Sequence, residues 1–369
     1  MPSVVDPCVG QPIRLFLVGE ALAPFQQVLA KSTEIEVIGT ARNGKDALDF
    51  LSQKNPQVIC TQLEMPILDG LDLTREVMST NPRAILVLSR LDQPEDREKT
   101  YQLFEAGALD MFPLPDSESL HAFSECGPAF INKIKILSGV VVLRKRQILP
   151  RMTMKPYDCM TGEPKPAFPG MVVIGASTGG PQALKEILSH LPVGFPVPIV
   201  CVQHMSQGFL QGLVDWLALD CALPITFAET GERPVGGTVY FPPEGRHVKF
   251  DADGQFLVVD GPKVDDHLPS VTVAFQSAAY RFRRHTIGVL LTGMGQDGVD
   301  GMGAIAKQGG LTIAQNEQTC VVFGMPQRAI EMKAASHILP LQDIASMLIS
   351  AVAQFDTCSV ADVPQFSFT

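Results

Sequence analysis

Charge is scarce in this sequence. Only 18% of its 369 residues are Asp, Glu, Lys or Arg, and 29 basic side chains face 39 acidic ones, for a formal charge of −10. An acidic chain has no basic footprint for gripping a phosphate backbone, which excludes nucleic acid as the expected partner. Long apolar runs are also missing. Nowhere do about 18 apolar residues follow one another, and Met1–Gln11 has no basic segment leading into an apolar one, so neither membrane insertion nor secretion is expected. The eight cysteines are dispersed, with no C-x-x-C pair and no Cys/His cluster at ligand spacing. They read as reduced thiols of a cytoplasmic protein without a metal centre.

What the chain does have is core-forming material. A 46% hydrophobic composition excludes wholesale disorder, and the length suggests two or three domains. From Ile13 to Leu137, apolar runs of strand length alternate with segments of helical period. Ile13–Val18, Glu36–Thr40, Gln57–Cys60, Ala84–Leu88 and Leu109–Phe112 read as strands. Phe25–Lys31, Lys45–Gln53, Leu71–Ser79, Glu95–Glu105 and Ser117–Leu137 read as helices, the last with Phe123, Phe130, Ile134 and Leu137 near one face. Such alternation predicts a parallel sheet covered on both faces, a (βα)5 domain over 12–138.

The basic cluster Arg144-Lys145-Arg146 then runs into Pro150, Pro156, Gly162, Pro164, Pro166, Pro169 and Gly170. So many breakers predict a linker over 139–169, with the basic cluster as a solvated turn. A second alternation begins with strand Met171–Gly175, helix Pro181–Leu191, strand Pro198–Val202 and helix Leu210–Leu219. It resumes with strand Thr286–Leu291, helix Gly301–Lys307 and strand Leu311–Ala314. Between these parts, Thr238–Phe241 and Phe256–Val259 are punctuated by Gly and Pro and read as an inserted hairpin region. The fold class is therefore α/β twice over, with a doubly wound parallel sheet over 170–356 and a tail over 357–369.

In such a sheet, ligands gather beyond the carboxyl ends of the strands. Three of those ends carry chemistry: Gly175-Ala176-Ser177-Thr178-Gly179-Gly180, Gln203-His204-Met205, and Thr292-Gly293-Met294-Gly295-Gln296-Asp297-Gly298. The first matches G-x-S-x-G, whose small residues let the chain turn sharply and expose a serine at a helix N-terminus. Alone it reads as a glycine-rich turn with a capping serine. A dinucleotide fingerprint is the other alternative, but Ser177 replaces the glycine that admits a pyrophosphate, and the next strand ends in His204 rather than an acid. Singly, His204 reads as a strand-end histidine and Asp297 as a turn carboxylate. Together they supply a nucleophile, a base and an orienting carboxylate. Their order, Ser then His then Asp, differs from that of α/β-hydrolases. Backbone N–H groups at Thr178, Met294 and Gly295 are candidates for holding an oxyanion. Asp265, Asp266 and His267 read as a polar loop rather than a metal site, since adjacent carboxylates rarely point the same way.

These segments, with Val322-Phe323-Gly324-Met325-Pro326, resemble the signatures of chemotaxis protein-glutamate methylesterases, the CheB family. The resemblance covers nearly the whole chain. It implies hydrolysis of γ-glutamyl methyl esters, and deamidation of glutamines, on methyl-accepting chemoreceptors or similar sensory receptors. Ser177 is then the nucleophile, His204 the base and Asp297 its partner, with no cofactor and no metal. A chemosensory histidine-kinase complex is a further implied partner. His267-Leu268-Pro269-Ser270-Val271-Thr272 resembles a family segment but departs from its usual Arg at Leu268 and its usual Asp at Thr272.

The first domain resembles a response-regulator receiver with a degenerate site. A working receiver carries paired acids after its first strand, a phosphate-accepting aspartate after the third, a hydroxyl after the fourth and a lysine after the fifth. Here those positions read Gly19-Glu20, Gln62, Ser89 and Leu114, and only Ser89 fits. An amide is no carboxylate nucleophile and brings no charge to a divalent ion. Glu64 is not expected to substitute, because the strand's two-residue period does not persist into the turn before Pro66. The expectation is a pseudo-receiver joined to an active esterase. The competing expectation is a catalytically silent scaffold in a chemosensory complex, for which an intact Ser177, His204 and Asp297 serve no purpose.

Overall fold

The computed structural model describes residues 11–20, 22–90, 99, 102–115, 120–140 and 170–355. The chain divides into two compact units, Met1–Gln147 and Ile148–Thr369. No helix among the described residues is long and apolar enough to cross a membrane. The cysteines Cys60, Cys126, Cys201, Cys221 and Cys320 are free thiols.

The first unit contains strands β1 (Ile13–Val18), β2 (Ile35–Ala41), β3 (Val58–Gln62), β4 (Ala84–Ser89) and β5 (Asp110–Pro113). All neighbours pair in parallel, in the order β2-β1-β3-β4-β5. The helices are α1 (Ala23–Leu29), α2 (Gly44–Leu51), α3 (Gly70–Thr80) and α4 (Leu120–Ser138). Side chains with short acceptors start two of them: Asn43 caps α2 through the Asp46 N–H and Asp69 caps α3 through the Asp72 N–H. Residues 99 and 102–105 of the expected helix Glu95–Glu105 are helical, and the rest of it lies outside the described residues. Phe123, Phe130, Ile134 and Leu137 are buried as their spacing on α4 predicts. Phe130 lies against Phe25 of α1 at 4.1 Å between centroids and Phe112 of β5 at 5.2 Å.

The second unit is built on a seven-stranded parallel sheet in the order β14-β13-β12-β6-β7-β9-β8. Its strands are β6 (Met171–Ala176), β7 (Ile199–Gln203), β8 (Ile225–Phe227), β9 (Val239–Phe241), β12 (Thr286–Leu290), β13 (Leu311–Gln315) and β14 (His337–Leu339). β6, β7 and β12 are buried along their whole length, which is why they read as unbroken apolar runs rather than alternating ones. The helices are α5 (Gly180–Leu188), α6 (Leu210–Asp220), α7 (Val271–Phe282), α8 (Val299–Lys307), α9 (Met325–Glu331) and α10 (Leu341–Phe355). The inserted hairpin is β10 (His247–Phe250) against β11 (Phe256–Val259), antiparallel. The expected hairpin run Thr238–Phe241 instead supplies β9, which pairs in parallel between β7 and β8. Three buried residues carry no periodicity that tells one partner strand from another. Residues 141–169, almost all of the expected linker, and the tail 357–369 lie outside the described residues.

Candidate active site

β6 stands between β12 and β7, and the chain fills one side of it first and the other later. This is the topological switch point, where the carboxyl ends of an open sheet leave a crevice. Ser177 follows β6, His204 follows β7, and Asp297 lies in the loop between β12 and α8. The register pairs Ala176 with Gln203, and the His204 N–H donates to the Ala176 carbonyl at 2.9 Å, so Ser177 and His204 leave neighbouring strands side by side. The Gln203 side chain fastens them further, its Nε2 donating to the Ser177 and His204 carbonyls at 2.8 Å each. A Cβ on Gly180 would stand 2.0 Å from Gln203 Oε1, so this crosslink requires glycine at the start of α5.

His204 and Asp297 meet directly: His204 Nε2 lies 2.8 Å from Asp297 Oδ2, with Asp297 fully buried. Asp297 sits at the N-terminus of α7. It accepts from the Val271 N–H at 2.7 Å, the Thr272 N–H at 2.8 Å and the Ser270 hydroxyl at 2.8 Å. Unpaired amides and the helix dipole favour an anion there. Burial pushes the Asp297 pKa up, but the hydrogen bond and charge attraction from His204, with the Thr272 donors, outweigh it and leave the carboxyl well below the usual carboxylate range. An ionised carboxylate only accepts, so Nε2 carries the proton and Nδ1 the lone pair. His204 Nδ1 is buried and has no hydrogen-bond partner.

Ser177 is nearly buried, and its own N–H donates to the Thr292 carbonyl at 3.0 Å. Thr292 joins three loops: its N–H donates to Gln315 Oε1 at 2.8 Å, its hydroxyl lies 3.0 Å from the Thr178 carbonyl, and it accepts from the Val322 N–H at 2.9 Å. The oxyanion candidates lie around this junction. Thr178 is buried, Met294 is 45% exposed, and Gly295 has φ 95° with open space where a side chain would be. Gly293 touches Ser177 so closely that a Cβ there would stand 2.6 Å from the serine Cβ.

Four supports of this site carry no role that the sequence alone reveals. Gln203 and Thr292 fall inside the strand-end motifs, and the partners that give them a role lie far off in sequence. His267, read as part of a polar loop, stacks on His204 with ring centroids 3.7 Å apart and planes 9° from parallel. Thr272, where the resemblance expects Asp, is buried; its hydroxyl accepts from the Gly298 N–H at 2.7 Å and so supports the Asp297 loop. One ligand atom each from His204, His267 and Asp297 lies within 4.8 Å of the others. Imidazole lone pairs lie in the ring plane, and two nearly parallel planes do not converge on one ion, so as placed these groups form no coordination shell.

In the first unit, Gly19, Gln62, Ser89 and Leu114 lie at the carboxyl ends of β1, β3, β4 and β5, with Glu20 next to Gly19. Gly19 has φ 147°, and a Cβ there would stand 2.1 Å from Gln62 Oε1, so the carboxamide fills the space beside β1. Ser89 and Leu114 are buried, and the Leu114 N–H donates to the Ser89 carbonyl at 2.9 Å. Glu64 is exposed and pairs with Lys99 at 3.1 Å.

Comparison with known proteins is consistent with both units. The CheB methylesterase model matches residues 172–348, and the response regulator receiver domain model matches residues 20–122. A protein-glutamate methylesterase/protein-glutamine glutaminase of Methanospirillum hungatei is 38% identical over 343 residues, 92% of this chain and 98% of the relative. One from Hahella chejuensis is 38% identical over 316 residues, covering 85% and 90%. One from Carboxydothermus hydrogenoformans is 41% identical over 334 residues, covering 88% and 94%. With relatives of this identity matched almost end to end, the chain belongs to the protein-glutamate methylesterase/protein-glutamine glutaminase family.

Proposed function

We propose that this chain hydrolyses γ-glutamyl methyl esters, and deamidates glutamines, on methyl-accepting chemoreceptors, with Ser177, His204 and Asp297 as its catalytic triad. The observation that carries the reading is the buried imidazole whose Nε2 is committed to Asp297 while Nδ1 keeps a lone pair and no partner. A buried acceptor without a donor is costly, and here the donor is the substrate-side chemistry itself. In this reading Ser177, at the end of the neighbouring strand, becomes that donor when the reaction begins.

Each step follows from these positions. Ser177 Oγ attacks the ester carbonyl carbon while its proton passes to His204 Nδ1, and Asp297 stabilises the imidazolium so formed. The carbonyl oxygen takes the negative charge beside the amides of Thr178, Met294 and Gly295. The tetrahedral intermediate collapses, the C–O bond to the methoxy group breaks, and His204 returns the proton so that methanol leaves. Water then attacks the acyl-enzyme with His204 again as base, releasing glutamate and restoring Ser177. With a glutamine side chain the same steps expel ammonia.

We read 12–138 as a pseudo-receiver, joined through 139–169 to a catalytic domain over 170–356. Gln62 offers no carboxylate to phosphorylate, and Gly19 offers none to hold a divalent ion. Association with a chemosensory histidine-kinase complex accords with a receiver-type domain that signals through contacts rather than through phosphate.

A serine-reactive phosphonate tests the triad directly. The full chain is expected to be labelled at Ser177, with labelling abolished in Ser177→Ala and strongly slowed in His204→Ala. A folded wild-type protein that stays unlabelled at Ser177 would favour the silent scaffold.

A further inference from the structure

The ring stacked on His204 has no step in the mechanism above, yet its surroundings are built to present it. His267 closes a tight turn in which Val264 and His267 exchange both backbone hydrogen bonds at 3.0 Å. The two residues between, Asp265 and Asp266, have φ of 48° and 65°. Side-chain-bearing residues enter that region at a cost, Asp among the least penalised. Asp265 Oδ1 accepts from Gln296 Nε2 at 3.1 Å, which ties the turn to the residue preceding Asp297. The turn and the carboxylate loop are therefore tied to each other, with His267 on the face of His204 and Asp297 at its Nε2.

The groups facing this ring are His204 on its flat side, Asp297 beyond it, and Asp265 and Asp266 on its own turn. His247, on β10, is spent on the Ser270 N–H and the Pro262 carbonyl. Burial and the charge of His204 lower the His267 pKa to about 4 against the opposing pull of the Asp297 and Asp266 charges and a hydrogen bond to the Asp265 backbone. At neutral pH the ring is uncharged and does not repel an imidazolium forming beside it; its π face attracts one. A single hydrogen bond at Nε2 leaves the His204 ring free to swivel about that bond, and a flat wall at 3.7 Å removes the freedom.

We propose that His267 is a positioning residue for the esterase reaction: face-on against His204, it fixes the plane of the base so that Nε2–H stays on Asp297 while Nδ1 faces Ser177. This rests on the triad reading above.

The test uses the full chain with His267→Ala and His267→Phe. The alanine variant is expected to lose about 10–100-fold in kcat, the scale of a misoriented group, with KM nearly unchanged. The phenylalanine variant, flat and non-titrating, is expected to keep most of the wild-type kcat. Nitrogen-15 spectra of His204, recorded in a Ser177→Ala background, are expected to show one Nε2–H tautomer with His267 or Phe present and a mixture with Ala. Should the alanine variant not fold, His267→Leu, apolar but not flat, replaces it with the same expectations. Unchanged kcat or an unchanged tautomer without the ring overturns the proposal. So does a phenylalanine variant as impaired as alanine, since the ring would then be carrying protons. Wild-type protein that releases no methanol defeats the triad reading instead, and the spectra still judge the stack.

Discussion

At the scale of single residues, Asp297 is held by four hydrogen-bond partners. Three donors from the first turn of α7 and one from His204 surround a carboxylate with no exposed surface. Replacing it with Asn keeps the volume but removes the acceptor that holds the proton on Nε2. Asp297→Asn is expected to lower esterase kcat by about 10³–10⁴-fold, the scale at which loss of the orienting carboxylate acts in serine triads. The same change carries a stability signature. Because the folded pKa is depressed, the stabilisation is fully present above the unfolded carboxylate value of about 3.9 and is lost as pH falls toward the folded one. The stability gap between wild type and Asp297→Asn, measured by urea denaturation, should narrow on going from neutral to acidic pH; a gap that is constant or widens would contradict the assignment. The placement of Ser177, His204 and Asp297 beyond strand ends was legible in the sequence because each follows an apolar run beside turn-forming glycine or a polar partner. Their supports were not. Ser270, Thr272 and His267 act through contacts that exist only after a hairpin and a helix fold back over the sheet edge, and nothing in local spacing encodes that.

At the scale of elements, strand ends decide what each sheet can do. In the second unit, Ser177 and His204 follow β6 and β7 and Asp297 lies in the loop after β12, with His204 and Asp297 in direct contact. In the first unit, the ends of β1, β3 and β5 bring Gly19, Gln62 and Leu114, and the Gln62 carboxamide occupies the space that a side chain at position 19 would need. Beryllofluoride with Mg²⁺ should therefore leave the receiver's amide spectrum and the esterase rate unchanged. A Mg²⁺-dependent shift at residues following β3 would show that another carboxylate has taken over the phosphate position. Glu64, the nearest in sequence, is exposed and paired with Lys99. The strands that form these edges were legible as apolar runs. The assignment of Val239–Phe241 to the main sheet was not, because a three-residue run lacks the alternation that distinguishes a half-buried hairpin from a buried parallel strand.

At the scale of the whole molecule, two α/β units built on the same rule carry opposite outcomes. Alternation of strands and helices revealed both, since parallel sheets demand crossover helices and buried strands. Their strand-end residues separate them: the second unit carries Ser177, His204 and Asp297, proposed above as nucleophile, base and orienting carboxylate, while the first carries a glycine, an amide and a leucine where the receiver resemblance expects charged groups. The proposed activity depends on the serine of the second unit, and methanol release from methylated chemoreceptor membranes is its immediate readout. Wild-type protein should release methanol, and Ser177→Ala, folded to the same stability, should release it more slowly by several powers of ten. Equal release by the two proteins would contradict the account.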